Sequence, residues 1–219
     1  MLQAWLFVPV TQGDQIRRLG TVASELRARA GRPKAASGLP LPALVLVTDA
    51  QRLPDPLSAV RRLPAGSAVL LRHYAHPERA ALARALAAAC AGCDVSLWVG
   101  ADAALARDVG AQSLHLRERD LADGRPPAWP GMLTAAVHGA ASLARAHALG
   151  ADAALLAPVF ATGSHPDTRP LGIARTTELV RGARLPVMAL GGIDADNASQ
   201  LLDTGVAGIA AIGAFAKSE

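Results

Sequence analysis

The stretch that decides the fold is residues 185–215, which reads LPVMALGGIDADNASQLLDTGVAGIAAIGAF. It predicts a short apolar strand over residues 186–190, a helix over 195–204 and a second apolar strand over 207–212. Strand, helix and strand in about thirty residues form a parallel crossover unit. Both strands are apolar on both faces, which is typical of a sheet that is covered on each side.

Glycines follow both strands of this unit. Gly191 and Gly192 follow the first strand and Gly213 follows the second. Glycine lets backbone N–H groups approach an anion closely, and in an eight-fold barrel the loops after the last two strands commonly hold a phosphate. We therefore expect a phosphorylated ligand at Gly191, Gly192, Gly213 and Ala214. The alternative is that these glycines serve only as tight turns, and the pattern leaves both open.

The rest of the chain repeats the alternation of strand and helix. Predicted strands cover residues 43–47, 68–71, 95–99, 113–116, 133–137 and 153–158, before the two already described. Predicted helices cover residues 55–62, 77–89, 102–109, 140–149 and 174–182, and a proline-rich stretch, residues 122–131, replaces or shortens the fourth helix. Eight short strands, without a dinucleotide glycine fingerprint after the first, favour a closed (β/α)8 TIM barrel in the α/β class.

We expect an extra helix before the barrel and no eighth helix after its last strand. Residues 14–30 predict an amphipathic helix that Asp14 is placed to cap, and residues 31–42 form a linker. We divide the chain into an N-terminal extension, residues 1–42, and a barrel, residues 43–219. The expectation of no eighth helix rests on the last predicted strand lying only a few residues before Glu219, where the sequence ends. We expect the N-terminal helix to help cover the apolar gap.

Composition excludes several classes of function. Of 219 residues, 51% are hydrophobic and 3% aromatic, so an aliphatic core is ample. The 22 basic and 18 acidic residues give a net charge of +4, which suits anionic small molecules. Basic runs interleaved with aromatic residues are absent from the sequence, so we expect no nucleic acid partner. We also expect no membrane partner and a cytoplasmic location, because the first ten residues lack a basic leader.

The two cysteines, Cys90 and Cys93, form a Cys-Ala-Gly-Cys motif. A redox pair of this kind normally opens a helix, whereas this one follows the alanine-rich run of residues 77–89 and so closes one. Zinc would require a further pair of ligands. The position favours two ordinary thiols over redox or metal chemistry.

Several short motifs, in matching order and spacing, give the chain a family resemblance. Over residues 44–215 the chain resembles the superfamily of thiamine-phosphate synthases and thiazole tautomerases. The motifs are Val137-His138, Gly150-Ala151-Asp152, Pro158-Val159-Phe160-Ala161-Thr162, Pro170-Leu171-Gly172, Ala189-Leu190-Gly191-Gly192-Ile193 with Asn197, and Gly205-Val206-Ala207-Gly208-Ile209-Ala210. The resemblance implies either the magnesium-dependent coupling of a pyrimidine pyrophosphate to a thiazole phosphate, or the isomerisation of a carboxythiazole phosphate by proton transfer.

The resemblance also assigns roles to individual positions. It implies that Arg72 grips the pyrophosphate and that Asp120 is a ligand of Mg²⁺. The family's other metal aspartate falls on Ala101, and Asp102 beside it is either a substitute or a partner of a helix dipole. At the thiazole phosphate the resemblance keeps the hydroxyls of Thr162 and Ser164, with Gly191, Gly192 and Gly213. The family residues that this chain lacks therefore belong mainly to the pyrophosphate and metal side of the site.

Histidines are the candidates for proton transfer, because imidazole titrates near neutral pH. His73, His115, His138 and His165 fall at or after strand ends. The resemblance implies a shared histidine at His138, either catalytic or structural, while the tautomerase histidine position is Pro158. His165 and Arg169 either replace the charge of a family lysine, or lie in a solvent-exposed loop.

Three hypotheses remain. The chain is a divergent thiamine-phosphate-synthase-like protein that binds a thiazole phosphate or a related phosphorylated small molecule, a metal-free isomerase using His138 or His165, or a binding module without chemistry. A flavin or sugar-phosphate barrel enzyme would share the glycine site but would not explain the motifs at Pro158 and Pro170. The sequence leaves a homodimer open.

Overall fold

The computed structural model describes residues 12–35, 38–124, 126, 129–163 and 168–215. Its eight strands are all parallel, and each pairs with the next along the chain. The first and last strands also pair, with Leu44 opposite Ile209 and Leu46 opposite Ala211. The sheet therefore closes into the barrel that the sequence predicts, and the carboxyl ends of all strands meet at one mouth.

The strands are β1 Leu44–Val47, β2 Ala68–Leu71, β3 Ser96–Gly100, β4 Ser113–Leu116, β5 Met132–Val137, β6 Ala153–Leu156, β7 Val187–Leu190 and β8 Gly208–Ala211. The α-helices of the described residues are α1 Gln12–Arg29, α2 Pro56–Val60, α3 Arg79–Ala91, α4 Ala103–Asp108, α5 Ala140–Ala148 and α6 Gly172–Gly182. The predicted ends differ from these by at most two residues, except for the helix predicted over residues 195–204.

Successive side chains along each strand point to opposite faces, so the core has a layer inside the barrel and a layer between strands and helices. Val45 and Val47 of β1 point into the barrel, whereas Leu44 and Leu46 pack outward under the helices. The side chains inside the barrel are largely aliphatic. Among the described residues, Trp98 is the one tryptophan there, and it packs among small side chains such as Ala153. Such filling makes the barrel a packed core rather than a channel.

Helix α1 covers the seam between the last and first strands. Its buried apolar side chains are those of Ile16, Leu19, Ala23 and Leu26. The helix packs on β1, on β8 and on the turns around β8. Within the described residues β8 is followed only by a 3-10 turn, Gly213–Phe215. The predicted covering role of the N-terminal helix is confirmed, but the predicted cap is wrong because the helix begins at Gln12 and Asp14 lies in its first turn.

The predicted helix over residues 195–204 is the exception. The structure has only a 3-10 helix there, Ala198–Leu201. The Asp194 carboxylate accepts hydrogen bonds from the backbone N–H groups of Asp196 and Asn197, both at 3.0 Å. Such local side-chain bonds offer the backbone an alternative to helix. The connection between β4 and β5 also has only a 3-10 helix, at Glu118–Ala122. This agrees with the prediction that the proline-rich stretch shortens or replaces the fourth helix.

Among the described residues, none of the helices combines the length and apolar character that crossing a membrane needs.

Candidate functional site

A cavity of about 830 Å³ opens at the carboxyl ends of the strands. Seven of the sequence-predicted site residues line it: Arg72, His138, Thr162, Gly191, Gly192, Gly213 and Ala214. Asp120 is not among the lining residues. Ser164 and His165 lie outside the described residues. Loops that are far apart in the sequence thus meet around one space.

One side of the cavity, here called the glycine wall, consists of Thr162, Gly191, Gly192, Gly213 and Ala214. Gly191 and Gly192 have φ angles of 99° and 66°, a region that side chains disfavour. A Cβ atom on Gly192 would lie 2.2 Å from the carbonyl oxygen of Ala161. The glycine pair is therefore required for the close approach of the loop after β6, whatever its role towards a ligand.

Protein groups engage the carbonyls of this glycine pair. Phe160 donates its backbone N–H to the Gly191 carbonyl at 2.9 Å. Asn197 Nδ2 donates to the Gly192 carbonyl at 2.7 Å. By contrast, a Cβ atom on Gly213 would have open space within 4 Å. The glycine wall combines one tightly packed turn with one turn that has room for a ligand.

His138 and Glu118 form a dyad on the cavity wall. The Nδ1 atom of His138 lies 2.5 Å from Oε2 of Glu118. Partial burial opposes ionisation of Glu118, but hydrogen bonds from Ser142 and His138 leave its pKa below the usual value. A carboxylate on Nδ1 fixes the imidazole and leaves Nε2 for a ligand. Sequence reasoning missed Glu118, although its place beside Asp120 after β4 was a usable signal.

Arg72 lies across the cavity from the glycine wall, at the end of β2. Its backbone N–H donates to Thr48 Oγ1 at 3.0 Å. The Thr48 hydroxyl lies 2.8 Å from Nδ1 of His73, which is buried. In the described part of the chain, no acidic side chain forms an ion pair with Arg72. His73 is therefore structural, whereas the Arg72 guanidinium remains a cation of the cavity.

His115, on β4, lines the cavity as a neutral group. It is buried, and its Nδ1 lies 3.0 Å from Thr134 Oγ1. Burial, helped by the nearby positive charge of Arg72, lowers the pKa of His115 to about 3. The imidazole is uncharged at neutral pH, so it offers hydrogen bonding but no charge to a ligand.

Asp120 is fully engaged by Arg117. Its Oδ2 accepts from Arg117 Nε at 2.7 Å and from the Arg117 backbone N–H at 3.0 Å, and its Oδ1 accepts from the guanidinium at 2.8 Å. Burial opposes ionisation, yet these bonds and the positive charge leave the pKa of Asp120 below the usual value. Neither carboxylate oxygen is left without a donor.

The residues present do not fit a Mg²⁺ site. Asp102 caps α4 by accepting from the Leu105 N–H at 2.9 Å, and it also pairs with Arg79 at 3.1 Å. No group of three histidine, cysteine or acidic side chains in the described ranges could hold a metal ion. Since Mg²⁺ relies on carboxylate oxygens, a site whose carboxylates are bonded to arginines has little to offer it.

The two cysteines do not line the cavity. Cys90 is buried and Cys93 is half-buried, and neither forms a disulfide. Burial raises the pKa of the Cys90 thiol to about 12, which keeps it protonated and unreactive. This supports the interpretation as two ordinary thiols.

Fold and site together define a closed (β/α)8 barrel with a ligand cavity at its mouth. A family model described as thiamine monophosphate synthase matches residues 44–215. The chain belongs to this family.

Individual relatives agree with the family assignment. The thiamine-phosphate synthase of Chlorobium luteolum is 35% identical over 188 residues, which cover 81% of this chain and 87% of that protein. The thiamine-phosphate synthase of Methanoculleus marisnigri is 39% identical over 111 residues, 48% of this chain, and the match spans only about half, 52%, of that protein. The solved structure of the thiamine phosphate pyrophosphorylase from Pyrococcus furiosus is similar, with a TM-score of 0.66, 27% identity, and coverage of 78% of this chain and 85% of that one.

Proposed function

We propose that this protein binds a thiazole phosphate, or a closely related phosphorylated heterocycle of thiamine biosynthesis, with the phosphate at the glycine wall. The observation that carries this proposal is that Thr162, Gly191, Gly192 and Gly213 line one cavity. Backbone N–H groups beside glycines can approach a phosphate closely, and the loops after β7 and β8 are the usual phosphate position in such barrels. Relatives named thiamine-phosphate synthase support this ligand class.

The chemistry that the cavity supports best is proton transfer by His138. In this step Nε2 takes a proton from an acidic carbon of the bound heterocycle, and the electron pair stays in the ring system. The imidazolium that forms is stabilised by Glu118 and returns the proton to another ring position. Glu118 acts as a positioning residue, since it contacts His138 through Nδ1. The net reaction is an isomerisation that needs no metal.

The coupling reaction implied by the resemblance fits the cavity less well. In the family this reaction relies on a bound Mg²⁺ to stabilise the leaving pyrophosphate, and the Asp120 carboxylate that would hold this ion is bonded to Arg117. The proposal therefore favours phosphate binding with isomerisation over magnesium-dependent coupling.

Binding is tested by calorimetry with a thiazole phosphate and with the same thiazole alcohol lacking the phosphate. The phosphate should improve affinity by at least about tenfold, because charge-assisted hydrogen bonds are strong. Gly213→Asp should remove this advantage, since a carboxylate there repels the phosphate. Gly182→Asp is the matched control, because Gly182 is an open glycine outside the cavity. Equal affinity for the phosphate and the alcohol would contradict the proposal.

Isomerisation is tested by following the carbon-bound proton of a carboxythiazole phosphate in D₂O by NMR. His138→Gln should slow exchange by about a hundredfold. Glu118→Gln should lower the rate with ligand affinity unchanged, and Glu118→Asp should restore part of it. A parallel incubation with the pyrimidine pyrophosphate, in Mg²⁺ or in EDTA, detects coupling. Thiamine phosphate formed only with Mg²⁺, without proton exchange, would replace this proposal by synthase activity.

A further inference from the structure

We propose that the fixed guanidinium of Arg117 acts in place of a bound metal ion on the side of the cavity opposite the glycine wall, where the resemblance already implies that Arg72 grips a pyrophosphate. The side chains of this side, here called the arginine wall, are Arg72, Tyr74, Arg117 and Arg119. The ligand group would be a phosphate or diphosphate. The proposal rests on the proposed function only for the use of the same cavity.

Asp120 fixes the guanidinium of Arg117 in its own plane. Nε and one terminal nitrogen each donate to a different carboxylate oxygen, at 2.7 and 2.8 Å. A guanidinium has five N–H donors, so this bidentate pair leaves three for a ligand. The Asp120 side chain is 16% exposed and that of Arg117 is 34% exposed, so the carboxylate lies behind the arginine relative to solvent. The carboxylate that would bind a metal therefore orients a permanent cation.

Tyr74 fixes the face of the same guanidinium. The Cζ atom of Arg117 lies 5.5 Å from the centroid of the Tyr74 ring. Arg79 approaches the same ring at 5.6 Å and is itself held by Asp102 and by the Gly100 carbonyl. Stacking of this kind is favourable for guanidinium, and it reduces the motion that would be lost when a ligand binds.

Gly100 makes room for this stack. A Cβ atom at Gly100 would lie 2.8 Å from the hydroxyl oxygen of Tyr74 and 3.1 Å from the Leu71 carbonyl oxygen. Any larger residue at the end of β3 would therefore displace the ring. The position of the Tyr74 ring therefore depends on a glycine at the end of β3, so the backbone of the barrel mouth is shaped for this stack.

The charges of the arginine wall favour an anion. Arg72, Arg117 and Arg119 line the cavity, and Glu118, the acidic lining residue of the same loop, is hydrogen-bonded to His138. In the described residues Arg72 forms no ion pair with an acidic side chain. Arginine binds phosphate oxygens through two parallel N–H donors, and two arginines on one wall can hold a diphosphate without a metal.

The test is calorimetric titration of the whole protein with inorganic pyrophosphate at fixed ionic strength, once in EDTA and once in excess Mg²⁺. We expect binding in EDTA with an affinity equal to or tighter than that in Mg²⁺, because free Mg²⁺ withdraws pyrophosphate from solution. Arg117→Met should weaken binding by about tenfold or more, and Arg117→Lys should recover only part of the loss. Asp120→Asn should weaken binding in EDTA less than Arg117→Met does, because it loosens the orientation of the guanidinium but keeps its charge.

Arg84→Met is the matched control, since Arg84 pairs with Asp108 at 2.8 Å on the outside of the barrel. Its pyrophosphate affinity should equal that of the wild type. Binding that requires Mg²⁺, an unchanged affinity in Arg117→Met and Arg117→Lys, or no binding at all would overturn the proposal. Thiazole phosphate binding by the same variants separates the two proposals, because the glycine wall should remain intact when only the arginine wall is changed.

Discussion

The glycine wall and the arginine wall face each other across one cavity but are built from different parts of the chain. The glycine wall depends on backbone geometry, with positive φ angles at Gly191 and Gly192. The arginine wall depends on side chains, namely the Arg117 pair with Asp120 and the stack on Tyr74. A wall made of backbone can change only if the fold changes, whereas a wall made of side chains can change by single substitutions.

This difference explains where the chain departs from the pattern of its family. The positions that the resemblance assigns to the thiazole phosphate are mostly retained, whereas most of those for pyrophosphate and metal are replaced, Arg72 and Asp120 being kept. Gly192 is restrained by packing against the loop after β6, independently of any ligand. Arg117 and Tyr74 carry no such backbone restraint. The turn at Gly191 and Gly192 is thus held by fold stability, whereas the side chains of the arginine wall are free to follow a change of ligand.

Gly192→Ala should produce the largest loss of stability. The added Cβ would meet the Ala161 carbonyl oxygen at 2.2 Å, and the φ of 66° is strained for alanine. Together these effects should lower the free energy of unfolding by about 3 kcal/mol or more. Urea unfolding measures the change. Gly213→Ala is the control, because its Cβ has open space and its φ is not in the positive region. Equal stability of the two variants would mean that the glycine wall is not restrained by packing.

Leu19→Ala should lower stability by about 3 kcal/mol, the middle of the range for buried leucines. Leu19 is buried in the face of α1 that covers the seam between β8 and β1, and α1 also contacts the 3-10 turn Gly213–Phe215. Thermal and urea unfolding measure the change, and Ser24→Ala, on the exposed face of the same helix, should be near wild type. A deletion of residues 1–42 that stays soluble and folded would show that the seam needs no cover.

His115→Gln should make the protein less sensitive to acid. In the folded state the pKa of His115 is about 3, against 6.5 as its ordinary value. Between these pH values His115 is protonated in the unfolded chain but not in the folded one. Its contribution to stability is therefore fully present above pH 6.5 and is lost as the pH decreases. Between pH 6.5 and 5 the loss from this group is about 2 kcal/mol.

Glutamine can still hydrogen-bond Thr134, so the variant should lose less stability than the wild type over the same pH interval. Unfolding in urea at pH 7 and pH 5 measures the difference. The acidic side chains Asp49, Glu118 and Asp120 have lowered pKa values and titrate below this interval. His73 is present in both proteins and cancels. Parallel losses in wild type and variant would place His115 in a more hydrated site than the structure has.

Most of the fold could be predicted from the sequence because short apolar strands recur between helices. The predicted ends of β2 and β4 match the structure, because a glycine, Gly66 or Gly110, precedes each strand and polar residues follow it. The helix expected over 195–204 fails because Asp194 and Asn197 bond to nearby backbone groups, including the Gly192 carbonyl. That outcome depends on the geometry of the turn after β7, which periodicity does not report.

The candidate site could be predicted in part. Glycines after consecutive strands are visible in the sequence, and Gly191, Gly192 and Gly213 all line the cavity. The partners of charged side chains are not visible, because they depend on how loops meet. The sequence suggested Asp120 as a metal ligand but could not show that Arg117, three residues earlier, takes both of its oxygens. Glu118 was missed for the same reason, since its partner His138 lies twenty residues away.

Ala101→Gly should give the smallest effect and the opposite sign. Ala101 follows β3, near the arginine wall, with a φ of 54°, which is unfavourable for any residue with a Cβ. Relief of about 1 kcal/mol of strain, partly offset by the greater freedom of glycine in the unfolded chain, should raise stability by about 0.5 kcal/mol. Differential urea unfolding measures it, with Ala104→Gly, exposed in α4, as a control that should lose about 1 kcal/mol. A loss in Ala101→Gly as large as that in Ala104→Gly would contradict the strain assigned to Ala101.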